Sequence, residues 1–233
     1  MSDSQPPSHP SDDGRFTRFD FRTLSPRDCY KLLIGTVVPR PIAWITTVDR
    51  DGRVNAAPFS FFGVLSADPP LLAVGVENHA DLTFKDTGHN IRATGEFTVN
   101  IVGADNLAAM NTTAVAFPSD VDELAAAGLT AIPGTHVKSP YIAEAPAAFE
   151  CRRHVTLEVG ASREIVLGEV LALHIRSDIV NERLHVDPKG LSALGRMGGQ
   201  GYCRSDETFD LATPSVADWQ ALASTLKAGE PAE

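Results

Sequence analysis

The β-prone runs of this chain come as neighbours joined by short turns, and that spacing restricts its fold more than any other feature. Ile42–Val48 is rich in β-branched and aromatic residues, Asp49-Arg50-Asp51-Gly52 is a turn, and Arg53–Phe61 returns. This predicts a hairpin. The pattern recurs where Ala148–Val159 and Glu164–Ser177 flank Gly160-Ala161-Ser162-Arg163. Strands paired with their chain neighbours are antiparallel, which disfavours a doubly wound parallel sheet. A closed or partly closed antiparallel barrel with peripheral helices fits this order.

Helices are expected around that frame. Ser25-Pro26-Arg27-Asp28 is a helix start, with an N-cap serine, proline in the first turn and an acid behind it. The helix should end near Gly35. Leu71–Val76 reads as a short apolar strand, Leu82–Thr94 as a helix and Glu96–Val102 as a strand. Asp105–Thr113 and Val121–Ala127 read as short helices, and Ser215–Leu226 as a terminal amphipathic one. Residues 1–14, rich in Ser, Pro and Asp, and residues 227–233 are expected to be disordered tails. No composition shift divides residues 15–226, so one domain is expected there.

Hydrophobic residues make up 43% of the 233-residue chain and charged residues 21%, enough for a real core. The net charge of −10 opposes a broad nucleic-acid or anionic-membrane surface. It leaves room for one phosphate in a local cationic pocket. Cys29, Cys151 and Cys203 are far apart and lack CxxC spacing, which predicts reduced thiols rather than disulfides or zinc. The N-terminus has no apolar signal segment, and no apolar run reaches the ~20 residues of a membrane span. A cytoplasmic protein is expected. The seven histidines show no metal-ligand spacing, so no metal site is predicted.

Two segments carry polar groups suited to a ligand. In Asn55-Ala56-Ala57-Pro58-Phe59-Ser60, small residues admit something flat to the backbone, and Pro58 marks an edge, a bulge or a strand end. Thr46 and Thr47 stand on the facing strand. In Lys85-Asp86-Thr87-Gly88-His89-Asn90, a cation, a hydroxyl and helix-end N–H groups suit a phosphate monoester. Each segment alone also fits an ordinary solvated hairpin or helix face. Gly195-Arg196-Met197-Gly198-Gly199 allows close backbone approach to a ligand or another subunit, or is simply a flexible loop.

Taken together, these segments resemble a known family. Pro39-Arg40-Pro41-Ile42-Ala43-Trp44-Ile45-Thr46-Thr47, Asn55 through Phe62 and Ser66-Ala67-Asp68-Pro69-Pro70 are similar to the flavin-reductase-like FMN-binding family. Lys85-Asp86-Thr87, Asn90-Ile91, Gly95–Asn100, Phe149-Glu150-Cys151-Arg152, Gly168-Glu169-Val170 and Leu194–Gly199 continue the likeness in order, from about residue 20 to 210.

The resemblance implies a mainly β fold with peripheral helices: an FMN-binding split β-barrel, antiparallel and Greek-key-like, assembled as a homodimer. It implies FMN contacts from Arg40, Thr46, Thr47, Asn55, Ala57, Pro58, Phe59 and Ser60, with Lys85 and Thr87 at the phosphate and Asp86 and Asn90 nearby. Trp44, Arg196 and Tyr202 are candidates to touch substrate or cofactor. The implied activity is flavin reduction by NADH or NADPH, with a monooxygenase as a possible partner. Alternatives are a flavoenzyme that holds FMN tightly and acts on a small organic substrate, and a non-catalytic electron carrier. Short members carry Gly-Asp-His in the second hairpin, where this chain has Gly160-Ala161-Ser162. Its longer C-terminal part resembles a longer subgroup that includes flavoredoxin.

Overall fold

The computed structural model describes residues 15–220 and the backbone of His9–Pro10. Ala43–Val48 (β1) and Val54–Phe59 (β2) form the first hairpin, paired from Ala43↔Phe59 to Val48↔Val54. Asp49 holds the turn by accepting the Asp51 and Arg53 N–H groups at 2.8 and 2.9 Å. Phe62–Ala67 (β3), Pro70–Glu77 (β4), Glu96–Ile101 (β5), Ala147–Glu158 (β6) and Arg163–Ile175 (β7) follow. They complete a seven-stranded sheet in the order β2-β1-β5-β6-β7-β4-β3, every pair antiparallel. β2, at one edge, contacts β4 beside the other edge, so the sheet curls into a split barrel. β3 has no alternating pattern to announce it: Val64 and Leu65 are both exposed.

Ile45, Val74, Phe97, Val99, Cys151 and Val166 fill the barrel. Gly168 fits there because a Cβ would stand 2.3 Å from the Phe97 ring. A second cluster, with Trp44, Met110, Leu124 and Ile142, packs on the sheet's other face.

Pro26–Thr36 (α1) begins as expected, with the Ser25 hydroxyl accepting the Asp28 N–H. Asp86–Thr94 (α2) starts four residues later than Leu82–Thr94 predicts. The Asp81 carboxylate accepts both the N–H and the hydroxyl of Thr83, and Leu82 takes a φ of 69°. Local side-chain bonding of this kind competes with helix. Leu107–Thr112 (α3) and Glu123–Ala126 (α4) are the short helices expected near there. Leu194–Arg196 (β8) pairs with Tyr202–Arg204 (β9) and with Arg40–Pro41.

Of the expected terminal helix, 216–220 are helical and 221–226 lie outside the described residues. So do the 227–233 tail and, apart from His9–Pro10, the 1–14 tail; His9–Pro10 pairs with Thr17–Arg18. All three cysteines are free thiols. Among the described residues there is no cluster of three metal-ligating side chains, and no helix is long and apolar enough to cross a membrane.

Candidate functional site

As an edge strand, β2 turns one row of main-chain groups away from the sheet. Along it, toward the start of α2, runs a cleft of about 630 Å³. Asn55–Phe59 form one wall and Lys85–Thr87 one end. Ala56 and Ala57 keep that wall low, and Pro58 presents no N–H.

The start of α2 presents donors of a kind that suits an anion. Lys85 is extended and caps α2 with no side-chain bond. The first helical N–H to find a carbonyl is that of His89, on Lys85, so the amides of Asp86, Thr87 and Gly88 precede the ladder. The Lys85 ammonium lies 3.9 Å from Glu77, and both side chains are partly exposed.

Glu123 backs the β2 wall. Asp122 fixes α4 by accepting the Leu124 and Ala125 N–H groups, at 2.9 and 3.1 Å. Glu123 is buried, and its Oε2 accepts the Ala56 N–H at 3.1 Å. The Asn55 amide turns its nitrogen toward Glu123 Oε1 at 3.3 Å and its oxygen toward the Thr87 hydroxyl at 2.9 Å. The reverse orientation would set amide oxygen against carboxylate. Burial pushes the Glu123 carboxyl above its usual range. Hydrogen bonds from its own and the Ala56 amide oppose that, and the charges of Asp86 and Asp122 add to it.

Residues 34–194 match the family model described as a flavin reductase like domain. The chain belongs to the flavin reductase-like family. A Deinococcus radiodurans protein named only as uncharacterized is 44% identical over 224 residues, covering 93% of this chain and 98% of that one. Nitrilotriacetate monooxygenase component B from Bacillus cereus is 31% identical, covering 83% of this chain and 98% of its own, with a TM-score of 0.80. The 2-nitrobenzoate 2-nitroreductase of Pseudomonas fluorescens is 32% identical, covering 86% and 98%, with a TM-score of 0.79. The chain is therefore a flavin-binding oxidoreductase with the split-barrel fold.

The donor set of this flavin reductase-like cleft fits such a cofactor. One cation and three unladdered amides at one end suit a phosphate, and the low wall at Ala56–Pro58 suits a flat ring. Asn55, Ala57, Pro58, Phe59, Lys85, Asp86 and Thr87 from the sequence reading all line the cleft. Thr47 and Asn90 sit one layer behind it, where the Asn90 amide donates to the Thr47 hydroxyl at 3.0 Å. Ser60, Arg196 and Tyr202 line an adjoining pocket of about 250 Å³.

Three of the residues are engaged elsewhere. The Arg40 guanidinium donates to the carbonyls of Ile34, Val37 and Met197, tying the end of α1 to the 195–199 loop. Trp44 is fully buried and donates its indole N–H to Thr113. Thr46, also buried, bonds the Pro140 carbonyl and accepts from Asn100.

Among the cleft residues to which no motif points are Glu123 and His79. Glu123 sits in the short helix expected at Val121–Ala127, and the local signal for its place is Asp122, an N-cap ahead of Glu-Leu-Ala-Ala. His79 lines the cleft beside Ser162. The second hairpin is brought there by Asn78, whose N–H donates to the Ser162 carbonyl at 2.9 Å and whose amide donates to that of Ala161 at 3.2 Å.

Proposed function

We propose that this chain is an NAD(P)H-dependent FMN oxidoreductase. The observation that carries the reading is the end of the cleft at Lys85 and the α2 amides, whose donors suit one phosphate, joined to the low wall of β2. One phosphate position favours FMN over a dinucleotide flavin. FMN, when bound, supplies the ring that takes up hydride and passes electrons on. The chain's own residues hold and screen it. Lys85 and the amides of Asp86, Thr87 and Gly88 hold the phosphate, and Asn55, kept in place by Glu123 and Thr87, faces the polar part of the cofactor. His79 offers an imidazole at the wall where the second hairpin carries Ser162.

The likeness to nitrilotriacetate monooxygenase component B supports transfer of reduced flavin to an oxygenase partner. A homodimer in the cytoplasm is the form we expect to do this. The likeness to 2-nitrobenzoate 2-nitroreductase and the adjoining pocket favour a second reading, in which FMN stays bound and a small organic substrate is reduced directly.

Anaerobic mixing of the FMN-loaded protein with NADH, then NADPH, tests the proposal. Loss of the visible flavin absorbance with either nucleotide is expected. No loss with both would reject nicotinamide-dependent reduction and leave an electron carrier. Passage of the reduced flavin through a filter that retains protein separates the first reading from the second.

A further inference from the structure

The adjoining pocket shares Pro58, Phe59 and Ala114 with the main cleft, so the two compartments meet at one wall. The protein carries a net charge of −10, yet among the described residues lining this pocket Arg196 is the one with a formal charge. No carboxylate there competes for it.

Arg196 is held firmly. Its backbone pairs with Tyr202 on one side and Arg40 on the other. The preceding Gly195 lets β8 pack tightly, since a Cβ there would stand 2.7 Å from Pro39. The guanidinium carbon lies 4.5 Å from the centre of the Tyr202 ring, and one Nη2 hydrogen bond reaches the Gly199 carbonyl at 2.8 Å. Nε and Nη1 have no acceptor among the described residues. Around them stand further polar groups in the same condition: the Ser60 hydroxyl, the Asn111 side-chain amide and the Tyr30 hydroxyl. Tyr30, Phe59 and Tyr202 supply aromatic surface.

We propose that this pocket binds a small planar organic acid, with its carboxylate on Arg196 and its flat body against the aromatic residues. A guanidinium's planar fork matches a carboxylate in two parallel hydrogen bonds. One cation answers one negative charge, and about 250 Å³ is room for a single small ring rather than a nucleotide. The proposal deepens the second functional reading, because it names the class of substrate that would sit beside the flavin.

The test is calorimetric titration of the FMN-saturated protein with benzoate, and with benzamide as the neutral molecule of matching shape. Benzoate is expected to bind at least about tenfold more tightly. Arg196→Gln should remove that preference, and Arg196→Lys, which keeps charge but loses the planar fork, should restore part of it. Circular dichroism and FMN affinity confirm that each variant is folded. Equal binding of benzoate and benzamide, no benzoate binding at millimolar concentration, or an unchanged preference in Arg196→Gln would each overturn the proposal. So would displacement of benzoate by FMN, which would assign the pocket to the flavin itself. If FMN does not bind at all, the proposed function fails, while the benzoate preference of the free protein still judges the pocket.

Discussion

Glu123 on α4 accepts the Ala56 main-chain N–H of edge strand β2 at 3.1 Å, backing that wall of the cleft with a buried carboxylate. The bond gives the outward-facing amide of an edge strand a partner. Its cost is a charge held out of water beside Asp86 and Asp122.

That cost has a pH signature. The folded-state pKa of Glu123 is raised, by burial first and then by the neighbouring acids. A raised carboxyl contributes stability below its unfolded value and loses it as pH rises through the folded value. Glu123→Gln keeps an acceptor for Ala56 and removes the charge. Its melting temperature should exceed wild type by a few degrees at pH 8 and match it near pH 4, about 1 kcal/mol corresponding to roughly 2–4 °C in a chain of this length. Differential scanning fluorimetry across that range checks it. A uniform drop at every pH would mean that the hydrogen bond outweighs the buried charge.

Glu150 should behave in the opposite sense. Burial alone would raise its pKa, but the amides of Thr135, His136 and Val137, the Thr135 hydroxyl and His174 all donate to it. Together they hold the carboxyl well below its usual range. A depressed carboxyl contributes stability above its unfolded value and loses it as pH falls through the folded one. Glu150→Ala should therefore cost about 3 kcal/mol or more at pH 7, by leaving its donors without a partner. The gap should narrow below about pH 4.5, as the wild-type contribution fades. Urea midpoints at pH 7 and pH 3.5 measure it.

Lys85 offers a direct check on which part of the cofactor lies at α2. Lys85→Ala should weaken FMN binding by about tenfold or more, the size of one charge-assisted hydrogen bond. Riboflavin, which lacks the phosphate, should bind both proteins alike. Quenching of flavin fluorescence gives both constants. An equal loss for the two flavins would move the phosphate away from Lys85.

Much of the architecture was legible because hairpins advertise themselves: Asp49–Gly52 and Gly160–Arg163 announce their turns locally. β3 was not, since the exposed Val64 and Leu65 break the period-two pattern. The start of α2 was misplaced because Asp81 spends its carboxylate on Thr83. Cleft residues on β2 and α2 were found through motifs. Arg40, Trp44 and Thr46 stand in the same motifs yet serve packing and capping, a distinction that depends on partners distant in the chain: Met197, Thr113 and Pro140. Glu123 and His79 enter from segments that only the folded split barrel brings to the cleft beside β2.

His79 and Ser162 of the second hairpin line the cleft together. Ser162 lines the cleft where related short proteins carry histidine, and the Asn78 bonds to Ala161 and Ser162 fasten His79 next to it. If this imidazole assists proton movement during flavin reduction, His79→Asn should slow flavin bleaching by NADH about a hundredfold, in the range of a lost general acid–base group. FMN affinity is measured beside the rate to separate a binding defect from a chemical one, because His79 shares a segment with Lys85, its N–H donating to the Thr83 carbonyl at 2.8 Å. Ser162→His in the His79→Asn background should recover part of the rate by supplying the imidazole from the neighbouring turn. Stopped-flow absorbance under anaerobic conditions reads all three proteins. A His79→Asn rate equal to wild type would show that the reaction needs no imidazole, leaving backbone electrostatics to stabilise the reduced ring.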